Sequence, residues 1–314
     1  MKVLSLLPSA TEIVYALGSQ ESLCGVSCDC DYPDTVSSKP VVSSKVLPIS
    51  STTAPAEIDR MVRDQLHESD SIYTLDRALI QELQPDVILA QDLCRVCAVP
   101  SGHVEEALDV IGCTAEVLSL DPHNLEEVLE SILNVGRVLN VTDEAESFVR
   151  DQRSRIKRVR RLLEGVAKKR VVALEWQDPP FSGGHWVPEL IDIAGGEDLL
   201  GAPGGRSRTL SWREITAVSP DVIVYMPCGF GLAEAATQLP ELYEIDEFRQ
   251  SPAAIHGEVF VTDSSSYFSR SGPRLIDGVE LLAGLLHPTH FPPPSPDRAL
   301  RVRMRDGFPE ASPV

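Results

Sequence analysis

Pro85-Asp86-Val87-Ile88-Leu89-Ala90 places four unbroken apolar residues behind a Pro-Asp step. A helical pattern over residues 76–83 leads into it. An apolar run without polar alternation reads as a strand buried on both faces of a sheet. The same grammar returns later, where a helix runs into Pro220-Asp221-Val222-Ile223-Val224. A second echo comes in the same order: Glu12-Ile13-Val14 with Leu17-Gly18 early, and Glu189-Leu190-Ile191 with Ala194-Gly195 late. Two echoes in order indicate two lobes of similar build.

Working outward, residues 2–7 read as a first strand and Ser9-Ala10-Thr11-Glu12 as a capping box opening a helix that ends at Gly18. A strand at 23–27, a helix at 103–110 and a strand at 116–120 continue the alternation, which predicts a parallel sheet covered on both faces. A helix is expected over 121–139. A longer one is expected over 142–167, with Asp143, Glu144 and Glu146 at its start and Lys168, Lys169 and Arg170 at its end, as the helix dipole favours. Phe148, Ile156, Val159, Leu163 and Val166 form its apolar stripe. The second half then offers a strand at 170–175, a loop at Phe181-Ser182-Gly183-Gly184, a last strand at 258–262 and a last helix at 273–286. The expected fold is α/β, with two similar Rossmann-like lobes, each with a parallel sheet, joined by one long connecting helix. The expected boundaries are 1–140, 141–169 for the connector, 170–290, and a loosely held Pro-rich tail at 291–314.

The chain has 314 residues, long enough for two domains, and 43% hydrophobic content, as in folded globular proteins. Its net charge of -19 excludes nucleic acid as a partner and disfavours anionic membranes. No apolar run reaches the length of a membrane span, so no membrane insertion is expected. Met1-Lys2-Val3-Leu4-Ser5-Leu6-Leu7-Pro8 reads as a strand rather than a signal peptide. The expected location is therefore cytoplasmic, or periplasmic or extracellular if a leader has been removed. Seven cysteines, an odd number, do not make a complete disulfide framework.

Ligands of parallel α/β sheets sit beyond the carboxyl ends of the strands. The corresponding loops are 8–11, 27–32, 91–102, 176–186, 226–230 and 263–273, and they hold two of the three Trp and five of the seven Cys. Aromatics are only 5% of the chain, so their presence in these loops suits a flat or greasy ligand, or else a cap on the lobe. Phosphate-binding glycine loops, Gly-x-Ser-x-Gly and His-Glu-x-x-His are all absent from the sequence. Ser182-Gly183-Gly184-His185 offers a hydroxyl and a base with no specified acid. The expectation is a binding protein that needs no cofactor, not an enzyme.

These loops carry a resemblance. Leu6-Leu7-Pro8-Ser9-Ala10-Thr11-Glu12, Gly25-Val26-Ser27 with Asp31-Tyr32-Pro33, and Leu83-Gln84-Pro85-Asp86-Val87-Ile88 match one family in order. So do Pro179-Pro180-Phe181 with Gly195-Gly196-Glu197, Ser219-Pro220-Asp221-Val222-Ile223, and Tyr267-Phe268 with Ser271-Gly272-Pro273-Arg274. The chain resembles the vitamin B12-binding proteins of ABC importers, within the class that also binds ferric siderophores and haem. The resemblance implies two lobes on one rigid helix with cobalamin, or a related corrinoid, held between them. By position it makes Tyr32, Phe181 and Tyr267 ligand contacts. Ser9, Gln91, Asp92, Trp176, Trp186 and Arg274 join them from the same loops. The family docks on its permease through one surface Glu per lobe; here those positions are Ser269 and, in the first lobe, Asp76 or Ala78, which weakens the expectation of an ABC permease partner.

Cys28-Asp29-Cys30 and Cys94-Arg95-Val96-Cys97 lie outside the family pattern. Both follow strand ends of the first lobe, and four thiolates there could close a zinc or iron–sulfur site. Redox pairing, direct contact with a ligand metal, or buried free thiols are the other readings. A metallo or redox protein, or a siderophore or haem binder, are therefore the alternatives to corrinoid binding. Cys24, Cys113 and Cys228 read as structural. His185 is the candidate axial ligand to cobalt or iron, since a neutral imidazole suits either metal; the plainer reading is an exposed loop histidine.

Overall fold

The fold is described from a computed structural model covering residues 1–49, 53–69, 71–92, 104, 114–305 and 307–314. The chain divides into two compact units. The first comprises Met1–Pro122, Glu126–Asp151 and Ser271–Pro273; the second comprises His123–Leu125, Gln152–Arg270 and Arg274–Val314.

The strands of the first unit are β1 (Val3–Ser5), β2 (Leu23–Val26), β3 (Ser43–Lys45), β4 (Tyr73–Leu75), β5 (Val87–Ala90) and β6 (Glu116–Ser119). Four of them make a sheet in the order β2-β1-β5-β6, every pair parallel, while β3 and β4 pair antiparallel by themselves. The apolar run that opened the sequence reading is β5, buried along its whole length between β1 and β6. Leu4, Leu6, Val42, Ile72, Tyr73, Ile80 and Ile88 form the core on one side of it.

The strands of the second unit are β7 (Lys169–Gln177), β8 (Pro180–Ser182), β9 (Gly196–Asp198), β10 (Val222–Tyr225), β11 (Val259–Thr262), β12 (Ala299–Arg305) and β13 (Phe308–Pro313). The sheet runs β13-β12-β11-β10-β7-β8, with β9 also on β7. Strands β9, β7, β10 and β11 are parallel, and β8, β12 and β13 are antiparallel additions.

The Pro-Asp echo is a joint built twice. In the first unit Asp86 accepts the Lys2 backbone N–H at 2.6 Å, and the Asp86 N–H donates back to the Lys2 carbonyl. In the second, Asp221 accepts the Arg170 N–H at 3.0 Å, and its own N–H donates to the Arg170 carbonyl. The same two basic residues cap the preceding helices: Lys2 Nζ donates to Leu83 O at 2.9 Å, and an Arg170 guanidinium nitrogen to Val218 O at 2.5 Å. Gln84 and Ser219, just before each proline, are both left-handed. The proline blocks the helix, the left-handed residue turns the chain, and the aspartate ties the new strand to the first strand of its own unit. Similar build in the two halves thus rests on a shared set of contacts as well as on shared letters.

Several expectations are corrected. No capping box forms at Ser9: the helix Pro8–Ala16 begins at Pro8, Leu7 is the N-cap without a side-chain bond, and Ser9 is buried inside the first turn. Proline at the first helical position supplies the start instead. The helix expected at 121–139 is Leu125–Val138, and the connector is Thr142–Leu162, shorter than expected. Its buried stripe is Ala145, Val149, Gln152 and Val159, continued by Leu163, with Phe148 and Ile156 only partly buried. The chain does not end in a loose tail. Strand β12 pairs with β11, placing Val302 beside Val259 and Leu300 beside Val261, and β13 returns along it. The prolines before Ala299 dominate the composition, but Ala299 and Val302 are fully buried and cover an edge that β11 would otherwise leave unpaired. The helix expected at 103–110 lies outside the described residues, Val104 apart, as do Cys94, Cys97 and Cys113. Among the described residues no helix is long and apolar enough to cross a membrane.

Candidate functional site

In the first unit, the carboxyl edge of β1 and β2 is organised by hydroxyls and one thiol. Ser5 Oγ donates to Leu7 O at 3.0 Å, and Thr11 Oγ1 donates to Ser5 Oγ at 2.8 Å. Cys30 Sγ stands 3.1 Å from Thr11 Oγ1 and 3.2 Å from Ser27 Oγ, within hydrogen-bond reach of both, and so joins the Ser5–Thr11 hydroxyls at this edge.

Around it, the loop after β2 is pinned. The Cys28 N–H donates to Ser43 Oγ at 3.0 Å, and Asp29 accepts the Tyr73 hydroxyl at 2.7 Å while pairing with Lys45 at 2.6 Å. Cys28 itself is exposed, and Tyr32 is 46% exposed. Cys28 is a free thiol. Gln91 is buried at the end of β5; Asp92 is exposed, its N–H held by Asp121 at 2.6 Å. Ser9 accepts from the buried Ser271 hydroxyl at 3.3 Å. Asp76 caps its helix through the Leu79 N–H at 2.9 Å. Among the described residues no three His, Cys, Asp or Glu side chains are grouped to hold a metal ion.

In the second unit, the loops after β7, β10 and β11 are tied together at the carboxyl edge. Cys228 N–H donates to Glu175 O, Ser265 N–H to Phe230 O, and Gly229 N–H to Ser269 Oγ at 3.0 Å. Trp176 stacks edge-to-face on Phe230, centroids 5.4 Å apart, and Phe181 is opposite Trp176 on β8. Trp186 is buried, and its indole N–H donates to Phe268 O at 2.7 Å, so the ring is part of the interior. Tyr267 is half-buried beneath the Arg298 guanidinium, 5.2 Å from its ring centroid. Arg274 is the N-cap of the helix Leu275–Leu286. Desolvation of the Cys228 sulfur, helped by Glu175 and opposed by a bond from Ser269, pushes its thiol up to about 11.

One buried acid supports the His185 loop and a second holds the turn at Leu200 and Gly201, features without a sequence signal. Glu175 accepts the Gly184 N–H at 3.0 Å and the Ser207 hydroxyl. Burial raises its pKa, partly offset by those two bonds. Asp198 accepts Leu200 and Gly201 N–H groups through one oxygen, while its other oxygen is buried without a partner, and burial raises this carboxyl too. Gly184 has no room for a side chain: an added Cβ would stand 2.3 Å from the Ser207 nitrogen. Ser182 is buried, and its hydroxyl accepts the Arg208 N–H at 3.2 Å, a structural bond and not a catalytic pairing.

His185 is left-handed, and its backbone is bracketed by Gly204 and Gly205. Its ring lies 6.1 Å from His123 and 5.6 Å from Trp186, and Nδ1 is buried with no hydrogen-bond partner. Burial first, then His123 and Arg206, lower its pKa, so the imidazole is neutral at neutral pH. A neutral ring is the form that ligates a metal.

With this geometry in view, comparison with known proteins is informative. A family model described as periplasmic binding protein matches residues 3–266. An uncharacterized ABC transporter substrate-binding lipoprotein, YvrC, from Bacillus subtilis strain 168 is 24% identical over 296 residues, 92% of this chain and 81% of its own. The vitamin B12-binding protein of Pectobacterium carotovorum strain PC1 is 23% identical over 280 residues, 88% of this chain and 84% of its own. Among solved structures, a periplasmic heme-binding protein from Pseudomonas aeruginosa matches with a TM-score of 0.71 at 18% identity. The match covers 100% of this chain and 98% of that one, and shows a common fold.

Proposed function

The chain belongs to the periplasmic binding protein family, whose members bind solutes for ABC transporters and are not enzymes, and on that premise we propose that it captures cobalamin or a related corrinoid. The ligand is held by the loops at the carboxyl edges of the sheets and delivered to an ABC permease. His185 carries the reading: a half-buried, neutral imidazole without a partner at Nδ1, on a loop fixed by Glu175 and Ser207. Such a ring suits the open axial position of a cobalt or iron macrocycle. The aromatic loop residues Phe181 and Tyr267, in the same unit as His185, would supply apolar contact for the macrocycle. Similarity to a vitamin B12-binding protein over most of the chain favours the corrinoid.

The haem reading stands second, because the fold is also that of a heme-binding protein. Both are tested by titrating the protein with aquocobalamin, cyanocobalamin and hemin while following absorbance and melting temperature. At a hundredfold excess over Kd, a ligand of the native state adds about 2.7 kcal/mol of stability. Aquocobalamin is expected to raise Tm and change its absorbance, with the absorbance change lost in His185→Ala. A response to hemin alone would transfer the site to haem, and silence with every corrinoid would defeat the proposal.

A further inference from the structure

A cavity lies in the second unit at the amino end of β11, away from the loops that follow the strand carboxyl ends. It is about 370 Å³ and is lined by Tyr243, Arg249, Ala254, Ile255, His256, Gly257, Arg303 and Met304. Three observations give it a chemistry. Tyr243 is only 3% exposed, yet its hydroxyl is buried with no hydrogen-bond partner. A buried hydroxyl is rarely left unpaired without a reason.

Three acids near this cavity are already engaged. Asp246 pairs with Arg249, Glu258 with Arg301, and Glu310 with Arg305 at 3.2 Å. Glu310, the cross-strand neighbour of Arg303, is taken by Arg305, and among the described residues the Arg303 guanidinium forms no ion pair. Gly257 makes room for it: the residue is left-handed at φ +66°, and a Cβ there would stand 2.9 Å from Arg303 Cγ. The remaining wall is apolar, with Ala254 buried and Ile255 and Met304 exposed at the rim, 67% and 42% accessible.

We infer that this cavity binds a small organic carboxylate, with the carboxylate on Arg303 and the Tyr243 hydroxyl and its hydrocarbon part against Ala254, Ile255 and Met304. A guanidinium fork matches a carboxylate in two bonds, and a phenol is the complementary third donor. Inorganic phosphate would leave the apolar wall unused. The volume falls in the range of small-molecule sites. The site is independent of the corrinoid loops and stands if that reading fails.

The experiment is calorimetric titration of the full chain with benzoate, with neutral benzamide and inorganic phosphate as controls. Benzoate binds and the controls do not. Losing a bond to a charged group weakens binding about tenfold, so Arg303→Gln and Tyr243→Phe should each cost about that factor. Arg303 is exposed and Tyr243→Phe keeps the ring, so both variants fold; circular dichroism confirms it. Failure of benzoate to bind the native chain, equal binding of benzamide, binding of phosphate in its place, or full affinity in both variants would each overturn the assignment.

Discussion

Gly184→Ala tests the support beneath the His185 loop. The added methyl would stand 2.3 Å from Ser207 N, 2.4 Å from Ser207 Oγ and 3.0 Å from Ser207 Cα. Two of these three atoms are backbone, so no rotamer change relieves the clash, and the segment carrying Ser207 has to move. Overpacking of this kind costs about 1–3 kcal/mol. The displacement also strains the Gly184–Glu175 and Ser207–Glu175 hydrogen bonds, worth about 0.5–1.5 kcal/mol each. A central figure is about 3 kcal/mol, which for a body of this size corresponds to a Tm lower by about 9 °C, at about 3 °C per kcal/mol. Thermal unfolding followed by circular dichroism reads the loss, and a cobalamin titration on the same sample reads the displacement of His185. A Tm within about 2 °C of the native protein would show that the Ser207 segment yields freely and that Glu175 does not hold this loop.

Three further outcomes are expected. Glu175 has a raised pKa in the folded state, so its contribution to stability is full below the ordinary carboxylate range and is lost as pH rises through the folded value. Glu175→Gln removes that titration and should flatten the fall in urea stability between acidic and mildly alkaline pH; parallel pH profiles for the two proteins would contradict it. Trp186→Phe abandons the bond to Phe268 O and leaves a gap in the interior, and should cost about 1–3 kcal/mol in denaturant unfolding; an unchanged midpoint would show that the ring is not structural. Cys30 lies within hydrogen-bond reach of the Thr11 and Ser27 hydroxyls, so Cys30→Ala should cost about 1 kcal/mol in denaturant unfolding; an unchanged midpoint would show that these contacts do not hold the loop.

Much of the architecture was legible because it depends on local chemistry. An uninterrupted apolar run such as Val87-Ile88-Leu89-Ala90 has one good solution, a strand covered on both faces, and a Pro-Asp step before it marks where a helix stops. The loops at strand ends follow from strand order, which is why Trp176, Phe181, His185 and Tyr267 could be named in advance as candidates. What stayed hidden depends on partners remote in sequence. Nothing in Leu300 and Val302 announces that they pair with β11, some forty residues earlier, once the prolines at 292–296 have suggested a tail. The Ser9 capping motif was present in letters, but Pro8 began the helix one residue sooner and buried Ser9.

The sequence by itself determined two halves of like grammar, the parallel strands at the centre of each, and the family to which they belong, because periodicity, helix stops and short motifs are written in neighbouring residues. Only the tertiary structure decided which groups meet. It joined Asp86 to Lys2 and Asp221 to Arg170, put Glu175 beneath Gly184 and Ser207, and turned Cys30 toward Thr11 and Ser27. It also left the Tyr243 hydroxyl without a hydrogen bond and Arg303 without an ion pair among the described residues. Hydrogen bonds and desolvation act over a few ångströms in space, across separations of tens of residues along the chain, and no local pattern records them.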